Sequence, residues 1–214
     1  MKKIVLFLIL MVACGWAADC NAQGLFEKRA TKTQADLSAY MEGAVPEVDG
    51  KVVFSEVISA PGKDKVQLMD ALASWANLRY MPNTALGLWN EPGYYKNLEY
   101  AAVTQADRNN GVLTCNGYEE QVFSNRVLAK DYTVMNYTLT LRISDAQVEV
   151  TMSGISYLYA FKEEPEKIAA EDWITDKECI KKKGGFYKAS GKFRIKTIDV
   201  KNAIFDSIKN IVGK

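Results

Sequence analysis

Trp89, Tyr94 and Tyr95 crowd a segment that Pro82, Gly87, Pro92 and Gly93 keep from forming any long regular element. Aromatic faces on such a loop can stack on sugars or clamp a peptide, which makes these three the first candidates for ligand or partner contact. The other use of a tryptophan here is to plug the open edge of a core, since Trp is highly buried on average. A second candidate is cationic. Lys181, Lys182, Lys183, Lys188, Lys192, Arg194 and Lys196 alternate with Phe186, Tyr187 and Phe193. They suit contact with an anionic surface such as lipopolysaccharide or lipid headgroups, or else they are solvated beside the acidic stretch Glu163 to Glu178.

Other chemistry is excluded by what the chain lacks. With no histidine among 214 residues, Ser-His-Asp and Cys-His nucleophile systems and His-ligated zinc or haem are ruled out. No Ser-x-x-Lys occurs, which weakens a Ser-Lys nucleophile. Gly185 to Lys192 has a superficial likeness to a phosphate loop, but the spacing fails and Phe193 stands where Ser or Thr is required. Carboxylates are plentiful, yet no pair is marked out for acid-base hydrolysis. The expectation is therefore no catalytic residue, no cofactor and no metal. Net charge is +1, so nothing draws the chain as a whole to nucleic acid, and no nucleic-acid partner is expected.

The N-terminus reads as an address. Lys2 and Lys3 precede an unbroken apolar run, Ile4 to Ala13, and apolar character ends at Asp19. The run is short for a permanent anchor and suits a secretory leader. Cys20-Asn21-Ala22 puts small residues at the −3 and −1 positions, so cleavage is expected before Gln23. Met11-Val12-Ala13-Cys14 offers the alternative of a lipoprotein anchored at Cys14, although Met is unusual at that site; Asp19 makes Cys20 a poorer candidate. Soluble export is the favoured reading, to periplasm or outer envelope. Removing residues 1–22 leaves 25 basic and 25 acidic side chains, no transmembrane helix, and two cysteines, Cys115 and Cys179. In an oxidising compartment these either pair, for about 4 kcal/mol in the chain-entropy model, or remain two separate buried thiols.

The elements that must position these residues follow from periodicity. Residues 23–49 are a polar lead-in in which Leu37, Tyr40 and Met41 allow a short amphipathic helix. Lys51 to Ala60 is β-branched and reads as a strand. Asp64 and Gln67 have capping-box spacing ahead of a helix carrying Leu68, Leu72, Trp75 and Ala76. Strands are expected over Leu98 to Gln105, Val112 to Cys115 and Gln121 to Leu128, with turns at Asn109-Asn110-Gly111 and Asn116-Gly117. Met135, Tyr137, Leu139, Leu141 and Ile143 alternate against Asn136, Thr138, Thr140 and Arg142, turn at Ser144-Asp145, and return through Val148, Val150 and Met152. Gly154 then marks a bulge, because Ile155 and Tyr157 continue on the opposite phase. A last helix runs from an Asp199 cap through Val200, Ile204, Ile208, Ile211 and Val212 to Gly213. The order predicts an α+β domain, a curved antiparallel sheet with helices packed on one face.

Lys51-Val52-Val53-Phe54-Ser55-Glu56-Val57-Ile58, Pro61-Gly62-Lys63, the helix with Trp75, and Asn136-Tyr137-Thr138-Leu139 with its Asp145 turn carry a resemblance. Over Glu47 to Tyr159 the chain resembles a bacterial exported family described as a domain of unknown function with a TATA-box-binding-protein-like fold. The resemblance implies a β-α-β-β-β-β-α arrangement and an envelope location, with the domain core over residues 50–160 and the same domain completed by 161–214, the charged segment and C-terminal helix. It implies no catalytic residues. The loop from Ala85 to Tyr95 and the charged segment before the last helix depart from the family pattern. The reading reached is an exported cell-envelope protein acting as a non-catalytic binding or interaction module for an envelope protein, peptide or glycan. Its alternatives are a carboxylate-based hydrolase of envelope or dietary glycans, and a structural protein contacting anionic envelope surfaces.

Overall fold

The computed structural model describes residues 34–80, 101–126, 129–159 and 166–213. A 3-10 helix, Gln34–Tyr40, stands where the lead-in promised a helical turn. Asp49 and Gly50 both take positive φ, 50° and 72°, and fold β1 (Glu47–Val48) back on β2 (Lys51–Val52). Asp-Gly is suited to such a two-residue turn because neither residue pays much for a left-handed backbone. β3 (Phe54–Ser59) buries Phe54 and Ile58. The capping box of α1 (Lys65–Arg79) is complete: the Gln67 backbone N–H donates to Asp64 Oδ1 at 2.8 Å, and the Asp64 N–H donates to Gln67 Oε1 at 3.1 Å.

Four strands then run antiparallel in succession: β4 (Ala102–Asp107), β5 (Val112–Arg126), β6 (Ala129–Ser144) and β7 (Gln147–Tyr159). β3 pairs with the far side of β7, giving the order β3-β7-β6-β5-β4. Gly154, at φ +61°, is the expected bulge. Pairing between β6 and β7 jumps there from Asn136↔Ser156 to Thr138↔Ser153, which returns Ile155 and Tyr157 to the buried face. The bulge also divides the outer edge of β7, where β3 pairs with 147–152 and β8 (Glu166–Ala169) with 156–159.

Two elements differ from the sequence expectation. Asn116-Gly117 does not turn, because β5 runs unbroken through it. A Cβ on Gly117 would lie 1.9 Å from Tyr137 Cζ, so the glycine is there to seat the ring of the neighbouring strand. The last helix, α3 (Lys188–Val212), begins well before Asp199, which sits mid-helix. Its first half buries Phe193 and Ile198 together with Ser190, Gly191, Arg194 and Thr197, and these small, polar and charged residues interrupt the apolar stripe. A short α2 (Asp176–Cys179) precedes it.

α1 and α3 cover one face of the sheet. Leu68 and Leu72 of α1 and Ile204 and Ile208 of α3 pack with Leu139, Leu141, Val150 and Met152 in one core. Trp75 Nε1 donates to Ser207 Oγ at 3.1 Å between the helices, and the hydroxyls of Tyr157 and Thr197 meet at 2.6 Å between sheet and helix. The result is an open antiparallel sheet with helices on one face, as expected. Among the described residues no helix is long and apolar enough to cross a membrane.

Candidate functional site

The face of the sheet turned away from the helices carries the side chains that alternate with the core: Thr114 and Asn116 on β5, Asn136, Thr138 and Thr140 on β6, Thr151 and Ser156 on β7. Around the Gly154 bulge they form a polar depression of about 50 Å³, lined by Asn116, Asn136, Thr138, Gly154, Ser156 and Lys167 of β8, with Gly117 and Tyr137 contributing to its floor. Strand pairing brings these residues together. Asn116 stands opposite Thr138, Asn136 opposite Ser156, and Ser156 opposite Ala169, two residues from Lys167. A Cβ on Gly154 would meet only Thr138 Oγ1, at 3.7 Å, so the missing side chain leaves the depression open. Asn136 Oδ1 is buried and accepts no hydrogen bond among the described residues.

Several ionisable groups on the inner face and at the sheet ends are committed to partners within the fold. Lys192 Nζ donates to Asp131 Oδ2 at 2.7 Å and to Tyr159 Oη at 2.8 Å, and lies 4.4 Å from the centre of the Phe123 ring and 4.9 Å from that of Tyr159. Partial burial works against its charge, but Asp131 and Tyr159 outweigh that and hold the ammonium above its ordinary range. It is a poor nucleophile. Arg79 pairs with Glu119, which also accepts from Tyr137 Oη at 2.8 Å. Burial pushes the Tyr80 phenol up to about 12, against the opposing pull of Tyr137 and Arg79. It drives Tyr137 well above its usual value too. Among the described residues no group of three or more Cys, Asp or Glu could hold a metal ion.

The candidates from the sequence are scattered. Trp89, Tyr94 and Tyr95 lie outside the described residues. The cations of the basic stretch differ in exposure. Lys181, Lys182, Lys183 and Lys188 are exposed, Lys192 and Lys196 are half-buried, and Arg194 has no exposure at all. Arg194 donates through Nε to Tyr40 O, through Nη1 to Ile174 O, and through Nη2 to Met41 O and Asp176 Oδ1, each at 2.6 Å. Cys115 and Cys179 are both free and buried, so the separate-thiol alternative is the one the structure carries. Cys115 belongs to β5, where it stands opposite Leu139 and near Tyr80, whereas Cys179 ends α2 beside Ser190 and Arg194. The polar depression was not assembled by sequence reasoning. Its signals were present in the wet-face alternation of Asn136 and Thr138 and in the Gly154 bulge, but pairing across four strands joins them.

Comparison with known proteins agrees with this architecture. Residues 54–158 match the family DUF4468, described as a domain of unknown function with TBP-like fold. A DUF4468 family protein from Bacteroides ovatus, solved by crystallography, is 31% identical and superposes with a TM-score of 0.71 over 84% of this chain and 96% of its own. The chain belongs to this family. A TBP-like protein from Parabacteroides distasonis, 18% identical, shares the fold with a TM-score of 0.60 over 78% of this chain and 96% of its own. No curated protein is detectably similar. Membership of DUF4468 accounts for the β-α-β-β-β-β run from β3 to β7 and brings no assigned activity with it. In this family member β8 and α2 stand between the last core strand and the closing helix.

Proposed function

We propose that the protein is exported and works in the cell envelope as a non-catalytic binding module, with the helix-free face of the sheet as its binding surface. The observation that carries this reading is the polar depression on that face, where Asn116, Asn136, Thr138 and Ser156 line one cup with Lys167 at its rim. The leader-like pattern of Lys2, Lys3, Ile4 to Ala13 and Cys20-Asn21-Ala22 supports export. The state of the ionisable groups supports binding over hydrolysis. Glu119 is held by Arg79, Asp131 by Lys192, Asp176 by Arg194 and Glu56 by Lys209. These four carboxylates are engaged in ion pairs, and none of them lines the depression.

The test is hydrogen exchange of the purified protein against fractionated envelope glycans and envelope peptides. Saturable protection confined to β5, β6 and β7 around Asn116 and Asn136 is expected, with the ligand recovered intact. Recovery of a cleaved product, or protection confined to the helices, would overturn the reading.

A further inference from the structure

The strand order runs from β3 to β4, and these two edges are finished differently. On β4 the register slips between Val103 and Gln105, and the Thr104 hydroxyl donates back to the Thr114 carbonyl at 3.2 Å. Such a bulge blunts an edge against further pairing. β3 has no bulge, no proline and no lysine. Its pairing with β7 fixes which of its backbone groups are used. The Ala60 N–H donates to the Ala146 carbonyl at 2.8 Å, and hydrogen-bonded pairs alternate along an antiparallel ladder, so Ile58, Glu56 and Phe54 bond toward β7. The backbone groups of Ser55, Val57 and Ser59 therefore point to the open side. All three residues are exposed, Val57 by 59%. Earlier in the chain that side is already taken: the Val53 N–H donates to the Pro46 carbonyl at 3.1 Å, where β1 lies along β2. A slot one short strand long remains between Val53 and the turn at Pro61-Gly62.

The helix layer beside this slot supplies a charge. Lys201 Nζ of α3 lies 5.7 Å from the centre of the Phe54 ring and 5.4 Å from that of Phe205. The ammonium makes no hydrogen bond and no ion pair among the described residues. Nearby acids are already engaged, since Lys209 holds Glu56 at 2.9 Å and Asp206 at 3.5 Å. Partial burial pulls the Lys201 pKa below the ordinary lysine range, with Glu56 pulling the other way. A half-buried cation without an acceptor favours a carboxylate brought from outside. Past Ser59, Lys63 Nζ reaches only the Ile211 carbonyl, at 3.5 Å. A second copy of the chain is a poor occupant. Antiparallel pairing of β3 with itself about Val57 sets Pro61 opposite Val53, whose N–H is already bonded, and brings Ala60, not a carboxylate, beside Phe54 and Lys201. We propose that the open edge of β3 is a docking edge for an extended acidic segment of another protein, which adds as a strand and sets a carboxylate against Lys201. Main-chain hydrogen bonds to Ser55, Val57 and Ser59 supply the affinity, and the carboxylate supplies the selection. The edge is separate from the helix-free face, so its failure would leave the binding-module reading standing.

The experiment adds synthetic peptides of alternating Val and Thr to the full-length protein: one with Glu at each end, one with Lys at each end, and one with Glu ends and a fully N-methylated backbone. Hydrogen exchange at Ser55, Val57 and Ser59 and a binding isotherm are read for each. The Glu peptide is expected to protect the three amides saturably, the Lys peptide to bind more weakly, and the N-methylated peptide not to bind. Lys201→Gln should weaken the Glu peptide about fivefold, the size of a partly exposed ion pair, and shrink its advantage over the Lys peptide. Val57→Pro should abolish binding with little change in melting temperature, since the N–H it deletes points away from β7. Should the proline variant lose stability, unchanged affinity in Lys201→Gln alone overturns the proposal. Equal binding of the Lys peptide, binding of the N-methylated peptide, full affinity in Val57→Pro, or no protection by any peptide would each overturn it as well. So would self-association of the free protein that Val57→Pro reverses, because a second copy then fills the edge.

Discussion

Single residues show how far composition misleads once burial is known. Seven cations between Lys181 and Lys196 look alike in the sequence, yet one of them is the largest fully buried side chain among the described residues. Counting charge cannot reveal this, because an arginine is buried only when carbonyls and a carboxylate from distant segments converge on it. The pairing of the two cysteines is hidden for a similar reason: sequence separation carries no information on proximity. Their fates now differ in a measurable way. Burial pushes the Cys115 thiol up to about 12, and it has no cation beside it to favour the thiolate. An ordinary thiol is about half ionised at pH 8.5, whereas at that pH Cys115 should be almost wholly protonated. Raising the pH from 7 to 9 should therefore leave Cys115 unreactive toward a disulfide reagent in the folded protein, with stoichiometric reaction only in denaturant. Rapid modification of Cys115 under native conditions, located by peptide mass, would contradict this burial.

At the scale of elements, the legible features are those set by neighbours in sequence. The capping box of α1 rests on residues three apart, and the turn between β6 and β7 on preferences local to Ser144 and Asp145, so both are readable. Asn116-Gly117 misleads because the same dipeptide serves two purposes. It favours a turn where both residues can be left-handed, but here the glycine makes room for a ring from β6 that local preferences cannot anticipate. Gly117→Ala should thus cost about 1–3 kcal/mol or more, as overpacking of a full core does. Truncating Tyr137 to Ala alone should cost about 3–5 kcal/mol. The double variant should lose clearly less than the two costs added, since the alanine methyl then occupies space the ring has vacated. Strict additivity in chemical denaturation would mean that Gly117 is required for some other reason. The late start expected for the final helix has the same origin. Gly191 is present because a Cβ there would lie 2.5 Å from that of Phe186, and Arg194 because of partners outside the helix. Neither contributes to an apolar stripe.

At the scale of the whole molecule, the layer architecture was legible because it follows from the order of elements and from which face of each strand is apolar. The ties between segments far apart in sequence were not. Arg194 is the main one. From the first half of α3 it binds the carbonyls of Tyr40 and Met41, the carbonyl of Ile174 and the carboxylate of Asp176, and Asp176 Oδ2 in turn accepts from the Gly43 N–H at 2.7 Å. One guanidinium thereby fixes the chain entering the domain to the segment that follows β8. Its planar fork meets four acceptors at once, which a lysine ammonium with three donors on one atom cannot do. Arg194→Met should leave those acceptors unmet and cost about 3–5 kcal/mol, a fall in melting temperature on the order of 10 °C for a domain of this size. Hydrogen exchange should speed up first at Gly43 and in α2, because Asp176, which accepts from the Gly43 N–H and opens α2, loses the guanidinium that holds it. Arg194→Lys restores the charge without the fork, so it should recover only a minor part of that loss and keep the fast exchange at Gly43. A lysine variant as stable as the wild type would show that a single buried charge, and not its geometry, holds the entering chain in place.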